Sequence, residues 1–303
     1  MKSSSPWWQQ PGITITTTAT PTITTIPTIT PTTILIPTTT GMITITMSPG
    51  SRRGIVTTMV PDITTEPEDP ANASLDWLAS LLQTSDTLFP SGGYAHSYGL
   101  EELVAMGRVT DAADLERFLR EDMLPALERL ELPYLRLCHE AALRKDLDGL
   151  FALDEEIGAW KLTREVREAS VSQGRQLLRM LDQVFEDDFA RSFAREAVER
   201  DASCHQITVW AVLRATQGTP VESTLVAWTY QSVSTFCSAS IKLLRLGEVA
   251  CQRIIRSCLE PNGLRQLVCR SREIERDDAG WFNPLFEIAS ARHETAYSRL
   301  FIS

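Results

Sequence analysis

From Leu75 onward, apolar residues recur at three- and four-residue intervals, the spacing that lines one face of a helix. Leu75, Leu78, Leu81 and Leu82 predict a first helix over Leu75–Thr84 with Ser74 as its N-cap. A short second helix over Ser97–Met106 carries Leu100, Leu103 and Val104, and Gly107 is placed to close it. Thr110 or Asp111 caps a long helix with Leu115, Phe118, Leu119 and Met123 on one side, which Pro125 and Pro133 should kink or restart. Further helices are expected over Gly149–Ala159, Lys161–Phe185, Asp188–Arg200 and Cys204–Thr216. Gly174, in mid-helix, costs stability and implies close approach of another helix. Thr219-Pro220-Val221-Glu222 reads as a capping box with Pro at the first helical position. It opens a nearly uncharged helix to about Leu246, polar mainly in Ser, Thr and Gln, which should lie buried at the centre. A last helix covers about Pro284–His293, and no segment between 74 and 303 alternates as a strand would. The expected fold class is all-α, a single helical domain of about ten helices over 74–303.

The first 73 residues read differently. From Ile13 to Thr58 the chain is a Thr/Ile/Pro mixture whose prolines at 21, 27, 31 and 37 come too often for long strands. It has no helical period and no apolar run flanked by charge of the signal-peptide kind. The expectation is a low-complexity, disordered extension, or sequence from a start placed too far upstream, with Met59 as the alternative start. Pro61 to Ala73 then forms an acidic, Pro-containing leader.

Charge narrows the choice of partners. Residues 1–58 hold Lys2, Arg52 and Arg53 and no acid, so the rest of the chain carries all 39 acidic side chains and only 26 of the 29 basic ones. So acidic a body argues against nucleic acid and against anionic membrane surfaces, and is compatible with a metal or a basic protein partner. Cys138, Cys204, Cys237, Cys251, Cys258 and Cys269 show no Cys-x-x-Cys spacing and read as reduced, mostly buried small hydrophobes. No run of eighteen apolar residues exists, and the expected location is cytoplasmic.

Candidate chemistry is sparse. His96, His139, His205 and His293 form no His-x-x-x-His pair. Cys138-His139 and Cys204-His205 are sequence neighbours, which on a helix point about 100° apart. No Gly-x-Ser-x-Gly elbow occurs. Arg164, Glu165, Arg167, Glu168 and Arg175 read as a solvated helix face. No catalytic residue, metal ligand or cofactor is expected. A helical metallohydrolase using His96, His139 or His205 is the enzyme alternative, and tightly retained metal would favour it. A helical adaptor or regulator is the other reading that composition allows.

One stretch departs from all this: Phe89-Pro90-Ser91-Gly92-Gly93-Tyr94-Ala95-His96-Ser97-Tyr98-Gly99-Leu100-Glu101-Glu102. It lacks a phosphate-binding pattern, and Pro90, Gly92 and Gly93 suit a sharp loop. The run resembles the N-terminal signature of the UreF family of urease accessory proteins. The chain's end, His293-Glu294 followed by Tyr297-Ser298-Arg299-Leu300-Phe301, is similar to that family's C-terminal segment. Two internal stretches, Arg164-Glu165-x-Arg167 with Gly174-Arg175-x-Leu177-Leu178-Arg179, and Ser240 to Glu248, resemble it as well, although Arg245 and Glu248 stand where Pro and Gln are usual. The resemblance covers about residues 75–303.

That resemblance implies a non-enzymatic helical protein acting in maturation of the urease nickel centre. It would bridge the accessory protein UreD (UreH in some systems) to the GTPase UreG on the urease apoprotein, act as a homodimer, and leave nucleic acid and membranes aside. It also implies an interface drawn from Tyr94, Ser97, Gly99, Glu101, Lys242, His293, Tyr297, Arg299, Leu300 and Phe301. Glu101 would face the GTPase, and Lys242 would make a specific contact. The C-terminal tail either docks on UreD, with Arg299 free to pair a partner carboxylate, or folds back on its own helices.

Overall fold

The computed structural model describes residues 32–38, 41–47, 56–60, 70–86, 89–90, 96–297 and 299–302. They divide into two compact units, Met1–Glu68 and Asp69–Ser303.

Among its described residues the first unit holds three short strands, none longer than seven residues. β1 (Thr32–Thr38), β2 (Gly41–Met47) and β3 (Val56–Val60) form an antiparallel meander in the order β1-β2-β3. Ile34 is registered with Ile45 and Ile36 with Ile43, so the Ile-Thr repeat supplies the period-two alternation a strand needs. Pro37 is tolerated because β1 is an edge strand, where a missing amide donor breaks no second ladder. Met59 sits inside β3, registered with Ile43.

The second unit is all-α. Its helices are α1 (Pro70–Ser85), α2 (Leu100–Ala105), α3 (Ala112–Phe118), α4 (Leu124–Ala126), α5 (Leu132–Leu143), α6 (Leu147–Trp160), α7 (Arg164–Val184), α8 (Asp188–Glu199), α9 (Gln206–Thr216), α10 (Val221–Leu243), α11 (Glu248–Cys258), α12 (Pro261–Glu273) and α13 (Pro284–His293). α1 starts four residues before the Ser74 expected as its cap, because Pro70 fits the first turn, where no intrahelical amide bond is required. α3, α4 and α5 run on as one rod through π-helical turns at Leu119–Met123 and Leu127–Glu131. Pro125 and Pro133 each follow such a turn, and the five-residue bonding absorbs the amide that proline lacks. Asp111 caps α3 by accepting from the amides of Ala113 and Asp114, while Asp146 and Asp187 cap α6 and α8.

Two expectations about α9 and α10 are corrected. The central helix is α9, in which every residue from Ile207 to Ala215 is buried between α5 and α7. α10 buries Leu225, Trp228, Val233 and Phe236 but leaves Val226, Tyr230 and Ile241 open to solvent. Its hydroxyls bond back to its own carbonyls, as Thr229 does to Leu225, Ser232 to Trp228 and Thr235 to Gln231, so a lack of charge does not compel burial. The capping box at 219–222 does not form either. Pro220 occupies the N-cap position, the Thr219 hydroxyl makes no cap bond, and Glu222 is taken by Arg272 at 2.5 Å.

Gly174 behaves as its position implied. A Cβ there would lie 1.9 Å from the carbonyl oxygen of Cys204, so α7 reaches α9 only because this residue has no side chain.

Candidate partner-docking site

The two ends of the helical unit meet at one point. Tyr98 and Gly99 both take left-handed backbone conformations, with φ of 50° and 86°, and turn the chain into α2. A Cβ on Gly99 would meet the Ser290 backbone of α13 at 3.4 Å, so a bulkier residue would also press against that helix. At the other end of α2, Gly107 (φ 66°) closes the helix, donating to the carbonyl of Val104. Glu101 and Glu102 occupy the first turn of α2, where a helix favours negative charge.

Glu102 pairs with Arg292 at 2.8 Å, and Glu101 turns inward. His293, buried at the end of α13, sits between two carboxylates. Its Nε2 lies 3.1 Å from Glu101 and its Nδ1 2.7 Å from Glu165 of α7. The same carboxylates hold the residues beyond α13. Glu101 accepts the backbone amides of Leu300 at 2.8 Å and Phe301 at 3.1 Å. Glu165 accepts from the Arg299 guanidinium at 2.6 Å, and Arg164 pairs with Glu294 nearby. Phe301 is buried, with the Lys242 ammonium 5.5 Å from the centre of its ring. The chain end is therefore a strap clamped by one acid from α2 and one from α7.

These contacts correct several expectations. Phe301 is not an exposed apolar group, and Arg299 is already paired within its own chain. Glu101 faces the strap and not outward, because its carboxylate is within reach of two backbone amides that it accepts from. Lys242 lies at the exposed end of α10, over Phe301. Tyr297, Leu300 and Ile302 point outward, Tyr297 fully exposed and the other two about two-thirds exposed. Ser97 is buried, its hydroxyl oxygen 3.4 Å from the Glu101 amide. Pro90 is exposed, whereas Gly92, Gly93 and Tyr94 lie outside the described residues.

Sequence reasoning missed Glu165. It was grouped with a solvated face, yet its side chain is 11% exposed and bridges α13 to the strap. The only available signal was its place in a short resembling stretch.

The other histidines are built into the packing. Burial lowers the pKa of His96, against the attraction of Glu165, and Tyr98 beside it exchanges hydrogen bonds with Gln173. Burial pushes the Tyr98 hydroxyl up to about 12. His139 donates from Nε2 to the Thr219 carbonyl at 3.0 Å, and burial lowers its pKa as well. His205 is pushed down to about 4, chiefly by burial, and its Nδ1 meets the Ser170 hydroxyl at 3.1 Å. Asp154 of α6 accepts from the amides of Cys204 and His205 and from the Thr208 hydroxyl, capping α9 from a neighbouring element. Among the described residues no three His, Cys, Asp or Glu side chains are grouped to hold a metal, and no helix is long and apolar enough to cross a membrane.

Fold and site define a class first: a protein with an all-helical unit whose C-terminal strap is held by Glu101 of α2 and Glu165 of α7. Comparison with known proteins gives the rest. A family model for UreF matches residues 109–259, a span that contains Glu165 and Lys242 but neither Glu101 nor His293. The urease accessory protein UreF of Pseudomonas fluorescens (strain SBW25) is 34% identical over 226 residues, which is 74% of this chain and 98% of the relative. That of Actinobacillus pleuropneumoniae is 30% identical over 226 residues, 75% of this chain and 99% of the relative. That of Kocuria rhizophila is 28% identical over 235 residues, 76% and 98% respectively. The chain belongs to the UreF family of urease accessory proteins, which are accessory proteins and not catalytic enzymes.

Proposed function

We propose that this chain serves nickel insertion into urease as a bridging protein. It joins the accessory protein UreD (or UreH) to the GTPase UreG on the urease apoprotein, and it works in the cytoplasm as a homodimer. The observation that carries this reading is the meeting of the two most distinctive motifs. Glu101 of the Gly-rich motif and His293 of the C-terminal motif are 192 residues apart in sequence and in direct hydrogen-bond contact. Together they fix a strap that displays Tyr297, Leu300 and Ile302 to solvent. An ordered strap with apolar side chains on its outer side presents a partner with a surface whose conformational entropy is already spent. In this reading UreD covers the outer side of the strap, and Glu101 acts by holding the strap in place.

Co-expression with urease and the other accessory proteins tests the proposal. Urease activity and nickel content should fall several-fold when this chain is left out, and the wild-type chain should restore them. Glu101→Ala should restore less than the wild type while remaining helical by circular dichroism. Full activation without the chain would overturn the reading.

A further inference from the structure

The largest fully buried side chain among the described residues is a cation, Arg214 of α9. Its Nε, Nη1 and Nη2 find no hydrogen-bond acceptor among the described residues. The guanidinium lies over the Trp210 ring, 4.7 Å from its centre, and no carboxylate among the described residues pairs with it. Two acids act on neighbouring His139, and each is engaged by another arginine, Glu140 by Arg136 at 3.1 Å and Glu222 by Arg272 at 2.5 Å.

Arg214 does not stand alone. The Thr219 amide donates to the Arg214 carbonyl at 2.9 Å, and the Thr219 carbonyl accepts from His139 Nε2 at 3.0 Å. One peptide segment thus ties Arg214, Thr219 and His139 together where α9 turns into α10. All three are buried, and among the described residues the Thr219 hydroxyl, the Trp210 indole N–H and, as an acceptor, the His139 Nδ1 join the guanidinium in lacking a partner. Unpartnered buried polar atoms are rare, and a group of them at one turn of chain calls for a common cause.

A lone charge inside a protein is costly, and a neutral hydrogen-bond partner satisfies its N–H groups without offsetting that charge. Deprotonation is no escape at neutral pH, since burial brings the guanidinium down only to about 9. The Thr219 hydroxyl and the Trp210 indole N–H can act as donors, and so can all three guanidinium nitrogens. The complement of a desolvated cation whose N–H groups all lack an acceptor is an anion.

We propose that Arg214, near the junction of α9 and α10, binds a small inorganic anion of chloride size through its guanidinium. The anion is structural, locking the turn that leads into α10, and is separate from the strap site.

The full chain tests this by thermal unfolding at constant ionic strength, with sodium chloride exchanged stepwise for sodium gluconate. The melting temperature of the wild type should rise saturably with chloride, by about 5 °C or more once chloride is roughly a hundredfold above its dissociation constant. Arg214→Met, an unbranched side chain without charge, should melt at a temperature independent of the anion. If that variant does not fold, crystals of the wild type soaked in sodium bromide decide, and an anomalous peak at the guanidinium is expected. Equal wild-type melting in chloride and gluconate, or a bromide-soaked crystal with no peak there, would overturn the proposal and leave internal water as the partner of Arg214.

Discussion

At the scale of single residues, the buried imidazoles of His96, His139 and His205 set how the protein responds to acid. His205 is almost fully buried and its pKa is about 4 in the fold, against 6.5 for an exposed histidine. Between those values the unfolded chain binds a proton that the folded chain refuses, so stability is fully present above pH 6.5 and is lost as pH falls toward 4. His96 and His139 are shifted in the same direction by burial and add to the effect. On the account of His205 alone, urea unfolding should show a loss of about 2 kcal/mol between neutral pH and pH 5. His205→Gln, which can still reach Ser170, should show a shallower loss over that interval. Identical slopes for the two proteins would mean that acid sensitivity resides elsewhere. The behaviour of these residues was only partly legible in the sequence. The neighbouring Cys-His pairs lie buried in the packing, whereas Glu165 looks like any acid in an Arg/Glu-rich helix. Nothing in the spacing of a charged helix says which carboxylate will be roofed by a residue 128 positions away.

At the scale of elements, helix starts and stops were the most legible feature because they rest on local chemistry. Asp111 caps α3 and Gly107 closes α2 through bonds made within a few residues. The errors came where tertiary partners decide. Glu222 left its expected capping box for Arg272 on α12, and α9 displaced α10 from the centre. Gly174 is the case where a local oddity pointed correctly to a long-range contact, and it gives a sharp test. Replacing Gly174 with Ala would favour the helix by about 1 kcal/mol on propensity alone. The added Cβ would lie 1.9 Å from the Cys204 carbonyl and 2.8 Å from the His205 carbonyl carbon, both rigid backbone atoms at the start of α9. Overpacking of that kind costs about 1–3 kcal/mol or more, so the clash should win. Gly174→Ala should therefore lower the unfolding midpoint, and a stabilised variant would show that α7 and α9 can part at little cost.

At the scale of the whole molecule, the C-terminal strap decides between two roles that the sequence left open, a self-contact and a partner contact. Neighbouring side chains of the strap turn opposite ways. Phe301 and Arg299 face the body, while Leu300 and Ile302 face solvent. Burial of Phe301 contributes about 1.5–3 kcal/mol, and the two backbone amides on Glu101 and the Arg299–Glu165 pair add to it. Phe301→Ala should accordingly lower the melting temperature by about 3–10 °C for a helical unit of this size. Leu300→Asp removes an exposed side chain and leaves its backbone bond to Glu101 intact, so its melting temperature should stay within about a degree of the wild type. If the outer side of the strap is where UreD docks, Leu300→Asp should nevertheless fail to pull down UreD, because a carboxylate would be desolvated against an apolar surface. Deleting residues 296–303 should combine both effects, giving a protein that is helical by circular dichroism, melts earlier and does not bind UreD. Full-strength binding of UreD by a folded Leu300→Asp protein would show that the strap only closes its own fold, and that the docking surface lies elsewhere on the helical unit.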